Sequence, residues 1–102
     1  MITFTLLPGG YPSQLGFIPE FFSEDDPRPA REQIEENYAH GGGWRPLPQW
    51  KLLPNCALKY PGDPVLQPVA KAKLRDEHIV VYPYGIVMLL EPDGSYEVSR
   101  LD

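Results

Sequence analysis

A single cysteine, Cys56, stands in a chain of 102 residues. That excludes an intrachain disulfide and any zinc site built from several thiolates, and it fits a reducing compartment. Basic side chains are scarce too, with nine Lys and Arg against fourteen Asp and Glu and a formal net charge of −5. A surface of that sign repels phosphate backbones, so nucleic acid is not an expected partner. Long apolar runs are missing. Ile86–Leu90 is among the longest at five residues, where a bilayer span needs about 20, so no membrane is expected either. Ile2–Leu7 is short, holds two threonines and has no basic region before it, so it is not read as a signal peptide. The expected location is the cytoplasm.

What the chain has in excess is proline, 13 of 102 residues, against a usual share of about 5%. Hydrophobic residues at 42% and aromatics at 12% nevertheless give a globular composition with material for one modest core. A single domain over residues 1–102 is expected, with no room for a separate cofactor domain and no cofactor implied. Charge is uneven: residues 1–50 carry three basic and seven acidic side chains, residues 51–102 six and seven.

Met1–Leu7 alternates Ile2, Phe4 and Leu6 against Thr3 and Thr5, the pattern of a strand with one buried face. Pro8-Gly9-Gly10 ends it. Tyr11–Phe22 has no period and is broken by Pro12, Gly16 and Pro19, so it reads as a loop. Its aromatics, Tyr11, Phe17, Phe21 and Phe22, either pack back over the core or face a partner. A helix is expected over Pro27–His40, with Asp26 as N-cap, Pro27 in the first turn and Gly41 as the left-handed stop. Ala30, Ile34 and Tyr38 form its apolar stripe, while Arg28–Glu32 and Arg31–Glu35 are spaced as ion pairs.

Trp44–Pro54 is broken by prolines, and Pro61-Gly62-Asp63-Pro64 reads as a tight turn. Val69–Leu74 alternates like a strand, with a short helix as the alternative. His78–Tyr82, Ile86–Leu90 and Tyr96–Leu101 are β-rich runs, the last two joined by Pro92-Asp93-Gly94-Ser95, whose Asp-Gly pair signals a hairpin. The expected fold is therefore α+β: a small curved antiparallel sheet centred on the C-terminal meander, packed against one helix and wrapped in long proline-rich loops. Its core should hold Phe4, Leu6, Ile34, Tyr38, Ile79, Val81, Val87, Leu89, Tyr96 and Val98.

Chemistry-bearing motifs are few. His40-Gly41-Gly42-Gly43 is spelled like the oxyanion-hole loop of some esterases, but no G-x-S-x-G elbow accompanies it. It reads as a helix end followed by a hinge. Cys56 with His40 or His78 makes a thiol and a base only if folding joins them. No H-x-x-x-H or C-x-x-C spacing argues for a metal, and no catalytic residue is assigned. Glu24-Asp25-Asp26 suits a helix start. Lys71, Lys73 and Arg75 would line one face of a strand, offset at once by Asp76 and Glu77. Arg45-Pro46-Leu47-Pro48 is either a rigid loop or a polyproline ligand core.

Tyr60–Pro64, together with the C-terminal residues 79–102, resembles short proteins encoded in tailed-phage and prophage genomes. The resemblance spans about the last two-thirds of the chain and implies a small protein acting by contact; it supplies no catalytic or binding residues. The function expected from the residues is a non-enzymatic protein–protein interaction module, self-associating or binding a protein partner. Its contacts would be Phe17, Phe21, Phe22, Trp44 and Trp50, rimmed by Glu32, Glu35 and Glu36. Two alternatives stand beside it: a small hydrolase using His40 or His78 with Cys56 or a carboxylate, and an acidic mimic of nucleic acid that occupies a basic partner.

Overall fold

A computed structural model describes residues 2–16, 18–38 and 44–101, and the side chains of these apart from Pro19, Phe21, Tyr38 and Trp44. Its strands are β1 (Thr5–Leu6), β2 (Trp44–Pro46), β3 (Lys51–Leu52), β4 (Leu58–Lys59), β5 (Ala70–Leu74), β6 (Glu77–Val81), β7 (Ile86–Leu90) and β8 (Tyr96–Leu101), with one α-helix among the described residues, α1 (Ala30–Tyr38), and short 3-10 turns between elements. Six strands form an antiparallel sheet in the order β1-β5-β6-β7-β8-β2, and β3 pairs with β4 in a separate ribbon. The fold is thus α+β, and β5 to β8 are the expected meander.

Both faces of the meander are covered, which is why β6 and β7 are almost continuously apolar rather than alternating. On one face Ile79, Val81, Val87, Leu89, Ala72 and Leu74 meet Ala30 and Ile34 of α1 and Ile18 and Phe22 of the N-terminal loop. On the other, Val80, Tyr82, Ile86, Met88 and Val98 meet Leu58, with Leu47, Trp50, Leu52 and Leu66 packed partly against them. The proline-broken segment between α1 and β5 is therefore a second covering layer.

The helix begins three residues later than the expected Pro27. Pro29 disfavours helical backbone at Arg28, and the Gln33 N–H makes its helical bond to the Pro29 carbonyl (3.2 Å). Asp26 does not cap α1. Its carboxylate accepts from the Arg28 N–H (3.0 Å) and the Arg28 guanidinium, and that ion pair holds it down at a pKa of about 2. The Ala30 N–H instead finds Oε1 of Glu77, a buried strand residue, at 3.0 Å. The expected stop at Gly41 lies outside the described residues.

Other expectations shift at the edges of the sheet. The N-terminal strand shortens to Thr5–Leu6, and Leu6 is 39% exposed rather than core because it sits on an edge strand two residues long. Tyr96 is 37% exposed at the start of β8, where its hydroxyl accepts the Leu52 N–H (3.2 Å). Arg75 leaves the strand for the β5–β6 turn, with φ 53, and its guanidinium donates to the carbonyls of Glu24, Asp26 and Arg28. Of the remaining core residues, Ile34, Ile79, Val81, Val87 and Leu89 are buried with Phe4 packed partly against them, and Val98 is buried on the opposite face. The Tyr38 side chain lies outside those described.

Candidate functional site

Loops carry most residues with contact or chemical potential here, and the sheet decides what each can reach. Phe22 is 1% exposed and lies in the core beneath α1, so its ring is no contact surface. The loop brings it there because Ser23 is tied to the helix: the Ser23 N–H donates to Oε1 of buried Gln33 (2.9 Å), and the Gln33 side chain donates to the Arg28 carbonyl (3.0 Å). Phe17, and the side chains of Phe21 and Trp44, lie outside the described residues. Glu32, Glu35 and Glu36 are exposed on α1. Arg31 pairs with Glu35 (3.1 Å) and also with Glu97 of β8, while Arg28 pairs with Glu36 as well as Asp26. The expected Arg28–Glu32 pair is replaced by Arg28–Glu36. Arginines from the same segment thus interleave with the acidic rim.

Of the thiol and histidine pairings, only that of His78 with Cys56 falls within the described residues. His78 is exposed at the start of β6. Tyr82, four residues on and about 13 Å along the strand at the usual rise, donates its hydroxyl to the Cys56 carbonyl at 2.5 Å, so the Cys56 backbone is bonded at the end of β6 away from His78. His40 lies outside the described residues. Among the described residues, no group of three His, Cys, Asp or Glu side chains is placed to hold a metal ion, and no helix is long and apolar enough to cross a membrane.

Trp50 stands at the centre of the proline-rich layer. It is half-buried, leans on Tyr60 with ring centroids 5.4 Å apart, and separates two clefts. The smaller, about 300 Å³, runs over Pro46, Leu47, Pro48 and Tyr96. The larger, about 500 Å³, has an apolar floor of Leu66 and Ile86, walls of Val65 and Tyr84, and Asp63 and Arg100 on its lining. Val65 is 41% exposed and Tyr84 75% exposed.

Tyr84 is held there by its backbone. It follows Pro83 in the β6–β7 turn at φ 68, a left-handed conformation unusual for an aromatic residue. Gly85 follows at φ 77, and any Cβ on it would lie 2.5 Å from the Leu101 carbonyl oxygen. The turn is therefore pressed against β8, and the Tyr84 ring projects from it without being buried. Tyr84 and Val65 were not among the expected contacts. The signal was an aromatic residue placed between a proline and a glycine in a hairpin turn, where core packing has no use for it.

No protein-family model, no curated protein and no solved structure matches this chain.

Proposed function

We propose that the protein is a non-enzymatic protein–protein interaction module of the small phage type, with a contact surface centred on Trp50 and Tyr84. The occupant we assign to that surface is a second copy of the chain. The observation that supports this reading is the Tyr84 ring, 75% exposed on a left-handed backbone beside an apolar cleft of about 500 Å³. A patch with both a projecting aromatic and a recess suits a two-fold interface, in which each copy offers the same knob and the same hole. Asp63 and Arg100 put both charge signs on the cleft lining, so the surface is not of one repelling sign. Exposed aromatic anchors are the residue class that carries binding energy at such surfaces.

Sedimentation equilibrium over a concentration series tests it. The chain should dimerise reversibly, and Tyr84→Ser should weaken the dimer by about thirtyfold, the effect of losing a roughly 2 kcal/mol hot spot. A chain monomeric at every accessible concentration overturns self-association. A protein partner whose affinity ignores both Tyr84→Ser and Val65→Asp overturns the surface itself.

A further inference from the structure

Two carboxyl side chains sit on the core-facing side of the meander, on the face opposite the Trp50 surface. Glu77 shares its side of β6 with Ile79 and Val81, and Glu91 continues the row of Val87 and Leu89 just past β7. His78 pairs with Leu90 across the two strands, so the next rung of the ladder brings Glu77 beside Glu91. Glu77 is only 8% exposed. Its Oε1 accepts the Ala30 N–H at the start of α1 (3.0 Å), while its Oε2 is buried without any donor.

A carboxylate oxygen sealed from water without a donor is costly. The neighbouring group is itself a carboxyl, which donates a hydrogen bond only when it holds a proton. Glu91 is placed to hold one. Partial burial, followed by the hydrogen bond and charge of Glu77 and the charge of Asp93, pushes it up to about 7. A metal ion suits the position less well, because the N-terminus of α1 carries the positive end of the helix dipole and the described residues offer no third ligand.

We propose that Glu77 and Glu91 share one proton, forming an acid–carboxylate latch that fastens the N-terminus of α1 to the sheet and loosens when the proton is lost. In the closed form, the Glu91 O–H donates to Oε2 of Glu77, whose Oε1 accepts from Ala30. When Glu91 gives its proton to solvent, two carboxylates face each other and Oε2 loses its donor.

The arginines around the pair are already engaged, Asp76 and Asp93 are of the same sign, and the basic Lys73 and His78 lie on the open cleft rather than against Glu77. Arg31 of α1 is bonded to Glu35 and to Glu97 of β8, and Arg28 to Asp26 and Glu36. Arg75, on the β5–β6 turn, donates to three carbonyls ahead of the helix. Asp93 follows Glu91, and Lys73, Asp76 and His78 line the open cleft that Glu91 borders. The latch does not depend on the contact surface proposed above.

The test is NMR on the whole chain between about pH 5 and about pH 9, following the carboxyl carbons of Glu77 and Glu91 and the exchange protection of the Ala30 amide. Protection should fall at least about tenfold as the shared proton titrates, since one pKa unit of coupling is a factor of ten. Glu91→Gln places a permanent N–H donor against Glu77 and should make Ala30 protection flat with pH. Glu77→Gln, which accepts from Ala30 and donates to Glu91, should flatten it too. A flat profile in the unmodified protein, or a slope that survives in both variants, overturns the latch.

Discussion

The two faces of the meander are buried by different means. One is covered by a helix whose every approach is tied with polar links: Glu77 to Ala30, Gln33 to Ser23 and Arg28, Arg31 to Glu97, and Arg75 to the chain ahead of the helix. The other is covered by residues 47–66, irregular but for the short β3–β4 ribbon, and it keeps clefts on both sides of Trp50. A helix meets a sheet with a continuous stripe. A proline-rich segment touches it only where individual side chains reach down, and leaves recesses between them. The contact surface we propose therefore lies over the less regular cover.

The largest expected contrast comes from cutting one aromatic on each side. Phe22→Ala should destabilise the fold by about 3–5 kcal/mol, because a fully buried ring is lost from beneath α1. Trp50→Ala should cost roughly half of that or less, because the ring is only half-buried. Chemical denaturation of both variants checks this, and equal losses would mean that the two covers are equally rigid.

Local pattern made the meander legible. Consecutive apolar residues at Ile79–Val81 and Ile86–Leu90, with Asp93-Gly94 in the turn, specify strands and their neighbours directly. The helix was legible in existence but not in its start, because the group that satisfies Ala30 is 47 residues away in sequence. Alternation identified which way Leu6 and Tyr96 point but not whether anything covers them there. Trp44–Pro46 looked too proline-broken for a strand, yet as β2 it lies at the sheet's edge, where proline is tolerated. The acid pair was legible in principle: Glu77 keeps step with Ile79 and Val81, and Glu91 with Val87 and Leu89, which places both carboxyls inward.

A second cut sharpens the comparison on the proline-rich side. Tyr82 is fully buried, and its burial raises the hydroxyl pKa, so it stays a neutral donor to the Cys56 carbonyl. That bond is a direct polar tie between the sheet and the irregular cover. Tyr82→Phe keeps the ring but leaves the carbonyl without this donor, and should cost about 1–3 kcal/mol. Exchange protection should drop around residues 53–58 while α1 is unchanged; a loss spread evenly over both faces would contradict the division drawn here.

Tyr84→Gly should act in the opposite direction. An L-residue in the left-handed region carries about 1–2 kcal/mol of strain that glycine does not, and glycine gives back about 0.5–1 kcal/mol through its freer unfolded chain. The expected net effect lies between no change and a gain of about 1.5 kcal/mol, together with loss of self-association. A variant destabilised by more than about 1 kcal/mol would make Tyr84 a structural residue and remove the argument that its exposure serves contact.

The remaining contrast is in pH, and it concerns the helix side alone. Asp26 has its pKa lowered from 3.8 to about 2 by Arg28, so the stability it contributes is present above pH 3.8 and is lost as pH falls toward 2. Glu91 is raised from 4.5 to about 7, so the folded chain binds its proton more tightly than the unfolded chain does; the stability it contributes is present below pH 4.5 and is lost as pH rises toward 7. The two slopes oppose each other and put the helix-side maximum in mildly acidic solution. Thermal midpoints measured along this range should decline from pH 4.5 to 7 in the unmodified chain, and the decline should vanish in Glu91→Gln. Asp26→Asn should remove the acid slope and leave the neutral one. If the neutral slope persisted in Glu91→Gln, a group on the proline-rich side would have to be its source, and the pH sensitivity could no longer be assigned to one face of the sheet.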